Sequence, residues 1–420
     1  MAAPTTVNNI KIANVLRRFT FREWGGTETV VWNTAKSLKN NSYITEILST
    51  RALDPTPNET IDEIFIKRFK YFYPYFPLNS TQKMALDKKG GNPISIPLMK
   101  YLLSNDFDIY HSHTMGHLGN SVYLASKIKK RPYVVSLHGG YSDVPKAEIA
   151  NIMSPVSKSF HYGKAVNAVL GRDRFMDKAD GIICVGYNEY INLKEIYKNK
   201  NIQYMPNGVD LKAFDSYKQN NSFRDKYQIK PEDKILLCVS RIDQQKNQLL
   251  LLEALNSIKN NSLHLVIVGP PTSKEYLNLL KNKIQEYKLE DKVIIIEGLK
   301  PYSDELLEIY KTSDIFILPS IHEPFGIVIL EAWASGKPVI ASSVGGIKKL
   351  VTDNHNGLLF ESNSSEALIH NITKVLSDSA TVEKLVKNAY ELVSEKYSWE
   401  IITSKLIEFY NKIIFDNKRK

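Results

Sequence analysis

Residues 315–338 constrain the fold more tightly than any other stretch. Ile315-Phe316-Ile317-Leu318 is a four-residue apolar run, the pattern of a strand buried on both faces. A loop follows, then a helix over 325–335 that Gly336 and Pro338 stop. Other short apolar runs end in the same way, at 10–16, 107–110, 133–137, 179–185, 234–240, 263–269 and 292–297. Buried strands that alternate with helices describe open α/β sheets. A chain of 420 residues exceeds what one core supports, so two such domains are expected.

Two acids, Glu323 and Glu331, bracket the loop and helix. They stand eight residues apart. Were both helical, they would lie about 12 Å apart along the axis and roughly 80° apart around it. That span suits one elongated ligand held at both ends. Between them, Pro324-Phe325-Gly326 leaves the amides of a helix start, near Phe325–Ile327, facing an anion. An anion at the middle and a hydroxyl at each carboxylate describe a nucleotide sugar. Arg241 and Lys246 follow the run 234–240 and make a two-cation clamp for a diphosphate.

In the first half, Gly25-Gly26 links a strand over 10–16 to a helix over 28–38. A glycine pair at a helix start lets backbone approach phosphate closely. His111-Ser112-His113 follows one strand and His138-Gly139-Gly140 another. Ligands in open α/β sheets collect at the carboxyl ends of strands, which makes His113 and His138 candidates.

The stretch 319–357 resembles the signature of the retaining glycosyltransferases of family 4. Their pattern is Glu, seven residues, Glu, with Phe-Gly after the first acid and a Gly-Gly turn further on, here Gly345-Gly346. Pro206-Asn207-Gly208-Val209-Asp210 is a second marker, and the likeness extends over almost the whole chain. It implies an α/β fold of two Rossmann-like doubly wound domains facing across a cleft (GT-B). The domains expected are 1–213 on the acceptor side, 214–395 for the nucleotide sugar, and a helical segment 396–420 that packs back on the first. A polar linker is expected over 214–231.

The resemblance also implies roles. Gly25 and Gly26 would reach the donor diphosphate, and the loop at Leu299 would frame the base. Phe325, Gly326, Ile327 and Glu331 would complete donor binding, with Glu331 on the ribose. Glu323 and His138 would be catalytic, beside the transferred sugar, and His113 would lie toward the acceptor. Ser240 and Asn247 stand where the family's motif around the two cations has glycines.

The reaction implied is transfer from a UDP-sugar, with GDP-mannose as the alternative donor, to a hydroxyl of a glycan or lipid-linked acceptor. Configuration would be retained by same-face attack. Neither a metal nor another cofactor is expected, since Arg241 and Lys246 supply the positive charge. Asp106-Phe107-Asp108 has the form of the metal-binding motif of the other glycosyltransferase fold class, and is read as a loop and strand start. A sugar-nucleotide 2-epimerase of the same fold and a non-catalytic nucleotide-sugar-binding protein are the competing readings. An epimer formed from UDP-sugar alone would identify the first.

The net charge of +10 favours anionic partners. No nucleic-acid-binding motif accompanies it, so nucleic acid is not expected. Cations at Lys67, Arg68, Lys70, Lys83, Lys88, Lys89 and Lys100 alternate with aromatics at 69, 71, 72, 73, 75 and 76. That pattern fits either a membrane interface or a connecting loop whose rings pack inward. No apolar stretch reaches the length of a spanning helix, and no secretory signal is visible. Cys184 and Cys238 sit in apolar runs and read as buried. A cytoplasmic enzyme is expected; whether it also makes peripheral contact with an anionic membrane face depends on which reading of the basic and aromatic segment holds, and the inward-packed loop is the favoured one. The weakly patterned stretch 140–172 is the position-based candidate for acceptor binding.

Overall fold

In the computed structural model the described residues are 10–21, 25–138, 156, 159–161 and 174–419. The stretch 140–172 proposed for the acceptor falls almost entirely outside them, as do Gly139 and Gly140. The chain divides into two compact units, one of residues 1–206 with 402–420 and one of residues 207–401.

The strands of the first unit are β1 (Lys11–Arg18), β2 (Ile44–Thr50), β3 (Asn58–Ile61), β4 (Ile64–Phe69), β5 (Tyr75–Phe76), β6 (Ile109–Ser112), β7 (Tyr133–Leu137), β8 (Phe160–His161), β9 (Gly181–Cys184) and β10 (Asn201–Tyr204). Eight of them form one sheet in the order β10-β9-β7-β6-β1-β2-β4-β3, and β5 pairs separately with β8. All pairs in the large sheet are parallel except β3 with β4. Buried parallel strands need apolar residues on both faces. In β1, Ala13 and Val15 pack into one core cluster and Leu16 into another.

The second unit holds β11 (Lys234–Val239), β12 (Leu263–Val268), β13 (Val293–Ile296), β14 (Ile315–Leu318), β15 (Val339–Ser342) and β16 (Leu358–Phe360). They form a parallel sheet in the order β13-β12-β11-β14-β15-β16.

Strand order fixes where ligands can sit. In the first sheet the chain moves outward from β1 through β2 to β4, then returns to β6 on the other side of β1. In the second it moves from β11 to β13, then returns to β14 beside β11. At such a reversal the helices leave on opposite faces, and a crevice opens beyond the strand ends. The segments after β1 and β6, and after β11 and β14, border these two crevices.

Other features were not foreseen. The stretch 61–105, which reads as irregular, contains β4, β5 and helices at Ser80–Lys89 and Ile96–Ser104. Arg68 is not part of a basic surface: it is buried, with Nε donating to Phe19 O at 2.7 Å and ion pairs to Asp54 and Glu59. Phe69, Tyr73 and Tyr75 pack inward, and Phe72 and Phe76 are exposed. The expected linker 214–231 carries helices at Leu211–Ser216 and Ser222–Lys226. The final helix, Trp399–Lys418, delivers residues 402–420 to the first unit, where Tyr410 OH lies 2.6 Å from His111 Nδ1. Cys184 and Cys238 are buried free thiols. Among the described residues no helix is long and apolar enough to cross a membrane.

Phe316, at the centre of β14, is fully buried. Phe316→Ala is expected to cost about 3–5 kcal/mol through lost contacts and the cavity left behind, read as a lowered denaturant midpoint.

Candidate active site

The second crevice is built from two loops. After β11, a 3₁₀ turn at Gln244–Lys246 starts at Asp243, whose carboxylate accepts from Lys246 N at 3.2 Å. The chain then passes through Asn247, in the left-handed region at φ 54°, into the helix Gln248–Ile258. Asparagine tolerates that conformation, so it can stand where the related motif has glycine. Ser240, at the other such position, accepts from Gln248 Nε2 at 2.9 Å, and the same amide donates to Arg241 O at 2.8 Å.

The turn places Arg241 and Lys246 at one strand end. Arg241 is half-exposed, 3.5 Å from Asp243 and donating to Gln245 Oε1 at 3.2 Å. Lys246 is nearly buried and ion-paired with the carboxylate of Glu323.

Glu323 belongs to the loop after β14, and the helix begins only at Ile327. The two acids are therefore not on one helix. Glu331 is on it, while Glu323 is held by the strand end. Gln245 joins the two loops: Ile321 N donates to its carbonyl at 2.8 Å, and its side-chain amide donates to His322 O at 3.1 Å.

The glycine pair at 345–346 holds the far side of this loop. Gly346 N donates to Glu323 O at 2.8 Å. A Cβ on Gly345 would lie 2.4 Å from that oxygen, and one on Gly346 would lie 1.9 Å from Pro324 O. Only a chain without side chains can come this close. Gly326 caps the helix in the left-handed region, at φ 93°, and brings no capping side chain. The first helical amides thus carry no side-chain acceptor from that residue, which suits an anion. Phe325 is buried against Tyr397.

Glu331 accepts from Tyr310 OH at 2.7 Å. Burial pushes its carboxyl up to about 7, against the opposing effect of that hydrogen bond. Burial also raises the hydroxyls of Tyr310 and Tyr302, and the Glu331 charge adds to both. Leu299 is half-buried in the loop after β13, next to Gly298 at φ 107°.

The first unit brings together a second set of groups. Gly25 caps the helix Gly26–Asn40 without a capping side chain. Glu28, in its first turn, pairs with Arg18 Nε at 3.1 Å, and burial raises its carboxyl. After β6 and β7, His113 Nδ1 lies 3.1 Å from His138 Nε2, and His113 Nε2 lies 3.1 Å from Asn14 Oδ1. The His111 ring is 4.0 Å from that of His113. Burial lowers all three imidazoles, His111 to about 3 and His138 to about 4.

Asp106 and Asp108 are both engaged by cations, Asp106 by Lys129 at 2.8 Å and Asp108 by Arg131 at 3.3 Å. Among the described residues no group of three His, Cys, Asp or Glu is arranged to hold a metal ion.

Sequence reading missed Gln245, Asp243, Tyr310 and Asn14. The first two lie inside the run 241–248, but only its cations drew attention. Tyr310 and Asn14 sit in an amphipathic helix and a buried strand with no local mark of a role.

Two family models match the chain: Glycosyltransferase Family 4 over residues 24–213 and Glycosyl transferases group 1 over 219–392. An uncharacterised glycosyltransferase of Methanocaldococcus jannaschii is 27% identical over 96% of this chain and 98% of its own. The UDP-Gal:α-D-GlcNAc-diphosphoundecaprenol α-1,3-galactosyltransferase of Escherichia coli is 29% identical over 67% of this chain and 70% of its own. The sucrose-phosphate synthase structure from Thermosynechococcus elongatus superposes with a TM-score of 0.74 at 21% identity, covering 97% of this chain and 100% of that one. The fold is GT-B, with two Rossmann-like domains.

Because the glycine pair bears directly on backbone, Gly346→Ala is expected to destabilise by about 1–3 kcal/mol and to displace the loop at Glu323. A melting curve reads the first effect, and a crystal structure of the variant reads the second.

Proposed function

The chain belongs to the group 1 glycosyltransferases of family 4, and from that premise we propose a retaining, metal-independent transfer of a sugar from a UDP-sugar to a glycan or lipid-linked hydroxyl. Relatives named for lipopolysaccharide, lipid-diphosphate and diacylglycerol acceptors support a place in glycolipid or polysaccharide synthesis. The observation that carries the finer reading is the second unit's switch point. There β11 and β14 lie side by side: Arg241 and Lys246 follow the first, Glu323 follows the second, and the helix that carries Glu331 starts just beyond. The E. coli relative, named for UDP-galactose and a lipid diphosphate, supports both the donor class and the acceptor class.

In this reading Arg241, Lys246 and the amides at Phe325–Ile327 receive the leaving diphosphate as its charge develops. Glu323 holds sugar hydroxyls and stays close to the reacting carbon, with its other side anchored by Lys246. Glu331 takes the ribose diol and Leu299 the base. Gly25, Gly26 and His138 of the first unit serve the diphosphate and the transferred sugar. The acceptor attacks from the face the diphosphate leaves, and the departing phosphate takes its proton. The net charge of +10 and exposed Phe72 and Phe76 support peripheral contact with an anionic membrane from the cytoplasmic side.

Glu323→Ala is expected to abolish transfer while UDP still binds. Arg241→Ala and Lys246→Ala each remove charge-assisted hydrogen bonds worth about 1.5–3 kcal/mol, so UDP should bind about 10- to 150-fold more weakly. Isothermal titration of the three variants separates the roles, and equal UDP affinity in all of them would refute the assignment. Turnover should persist in excess chelator, and its loss would refute metal independence.

The raised Glu331 adds a pH dependence. A ribose diol donates to the ionised carboxylate, so binding favours the deprotonated form and releases a proton. Affinity for a UDP-sugar, whose phosphates do not titrate near neutrality, should rise from pH 6 to 8 with a midpoint near the carboxyl's value of about 7. A flat profile would remove Glu331 from the ribose site.

A further inference from the structure

His113 is 8% exposed, and both its ring nitrogens are within hydrogen-bond distance of protein groups. Asn14, more deeply buried, donates through Nδ2 to Thr45 Oγ1 at 2.6 Å. Its carbonyl oxygen Oδ1 lies 3.1 Å from His113 Nε2, and a carbonyl oxygen can only accept. His113 must then carry its proton on Nε2 and present a lone pair on Nδ1. The partner of that lone pair is His138 Nε2, which must donate. A neutral imidazole with its proton on Nε2 has a lone pair on Nδ1.

From this chain, Thr45–Asn14–His113–His138, we infer that His113 is a positioning residue that fixes the Nε2–H tautomer of His138, so that His138 Nδ1 accepts a hydrogen bond from a hydroxyl of the donor sugar. The inference rests on the proposed role of His138 beside the transferred sugar. It gives His113 a task in place of acceptor contact. The surroundings favour neutral rings throughout. The His111 ring lies tilted against His113, and its own nitrogens lie 2.7 Å from Ser136 Oγ and 2.6 Å from Tyr410 OH. Burial opposes a proton on any of the three. A neutral acceptor at Nδ1 selects O–H groups and rejects the oxygens of carboxylates or phosphates. It also defines the role in the chain that a substitute must fill, one donor and one acceptor on the same side chain. Glutamine meets that requirement and leucine does not.

The test uses the full-length protein with 15N-labelled histidine rings. In the wild type, long-range proton–nitrogen correlation should show His138 protonated at Nε2 and unprotonated at Nδ1, as a single tautomer. In His113→Leu the ring should become a mixture, and the best-binding member of a UDP-sugar panel should lose about tenfold in affinity, the scale of one hydrogen bond, while UDP itself is unaffected. His113→Gln should restore the single tautomer and most of the affinity, a recovery that simple packing would not produce. A proton on His138 Nδ1 in the wild type would overturn the inference even if neither variant folds. So would a leucine variant with unchanged tautomer and unchanged UDP-sugar affinity. If the wild type shows the expected tautomer but binds no UDP-sugar better than UDP, the donor reading fails, and the grip of His113 on His138 stands.

Discussion

The ion pair between Lys246 and Glu323 joins residues that are 77 positions apart, at the ends of adjacent strands. It exists because β14 returns to lie beside β11, and the rest of the second unit's site follows from that return. The 3₁₀ turn that presents Lys246 is closed by Asp243, and the loop that presents Glu323 is clamped by Gln245 on one side and Gly346 on the other. A nearly buried cation facing a nearly buried carboxylate satisfies both charges. It also leaves the ammonium already largely desolvated, where in the proposed reading a diphosphate would add negative charge.

The short apolar runs were the most legible part of the sequence. Ile315–Leu318 and Tyr133–Leu137 are strands with the bounds their apolar residues suggest, because strands buried on both faces have to be continuously apolar. β2 escaped detection because Thr45, Glu46, Ser49 and Thr50 are polar and nevertheless buried. β4 escaped because Arg68 looks like a surface residue, while in the fold it is matched by Asp54 and Glu59 from elsewhere in the chain. Pattern reading registers what a residue prefers on average, and partners distant in sequence can reverse that preference.

The candidate site divides in the same way. Glycines and charges in one continuous stretch were visible, including the Gly-Gly turn, whose need for missing side chains is a steric fact about Glu323 and Pro324. Tyr310, which lies against Glu331 from another helix, and Asn14, which orients His113 from β1, were invisible because each contact spans the fold. The helical spacing drawn between Glu323 and Glu331 also gave way, since Gly326 in the left-handed region separates loop from helix.

Protonation bears on the proposed reaction. The imidazoles of the first unit are held neutral by burial, with His138 near 4. A base whose conjugate acid sits there removes a proton from an attacking hydroxyl poorly at neutral pH. A terminal phosphate, with a second pKa near 6, is the stronger acceptor. In the proposed transfer that phosphate is the leaving group, held by Arg241 and Lys246 on the face where the acceptor arrives. The neutral histidines and the paired cations are thus consistent with one division of labour, in which imidazole orients a hydroxyl and the departing diphosphate receives the proton.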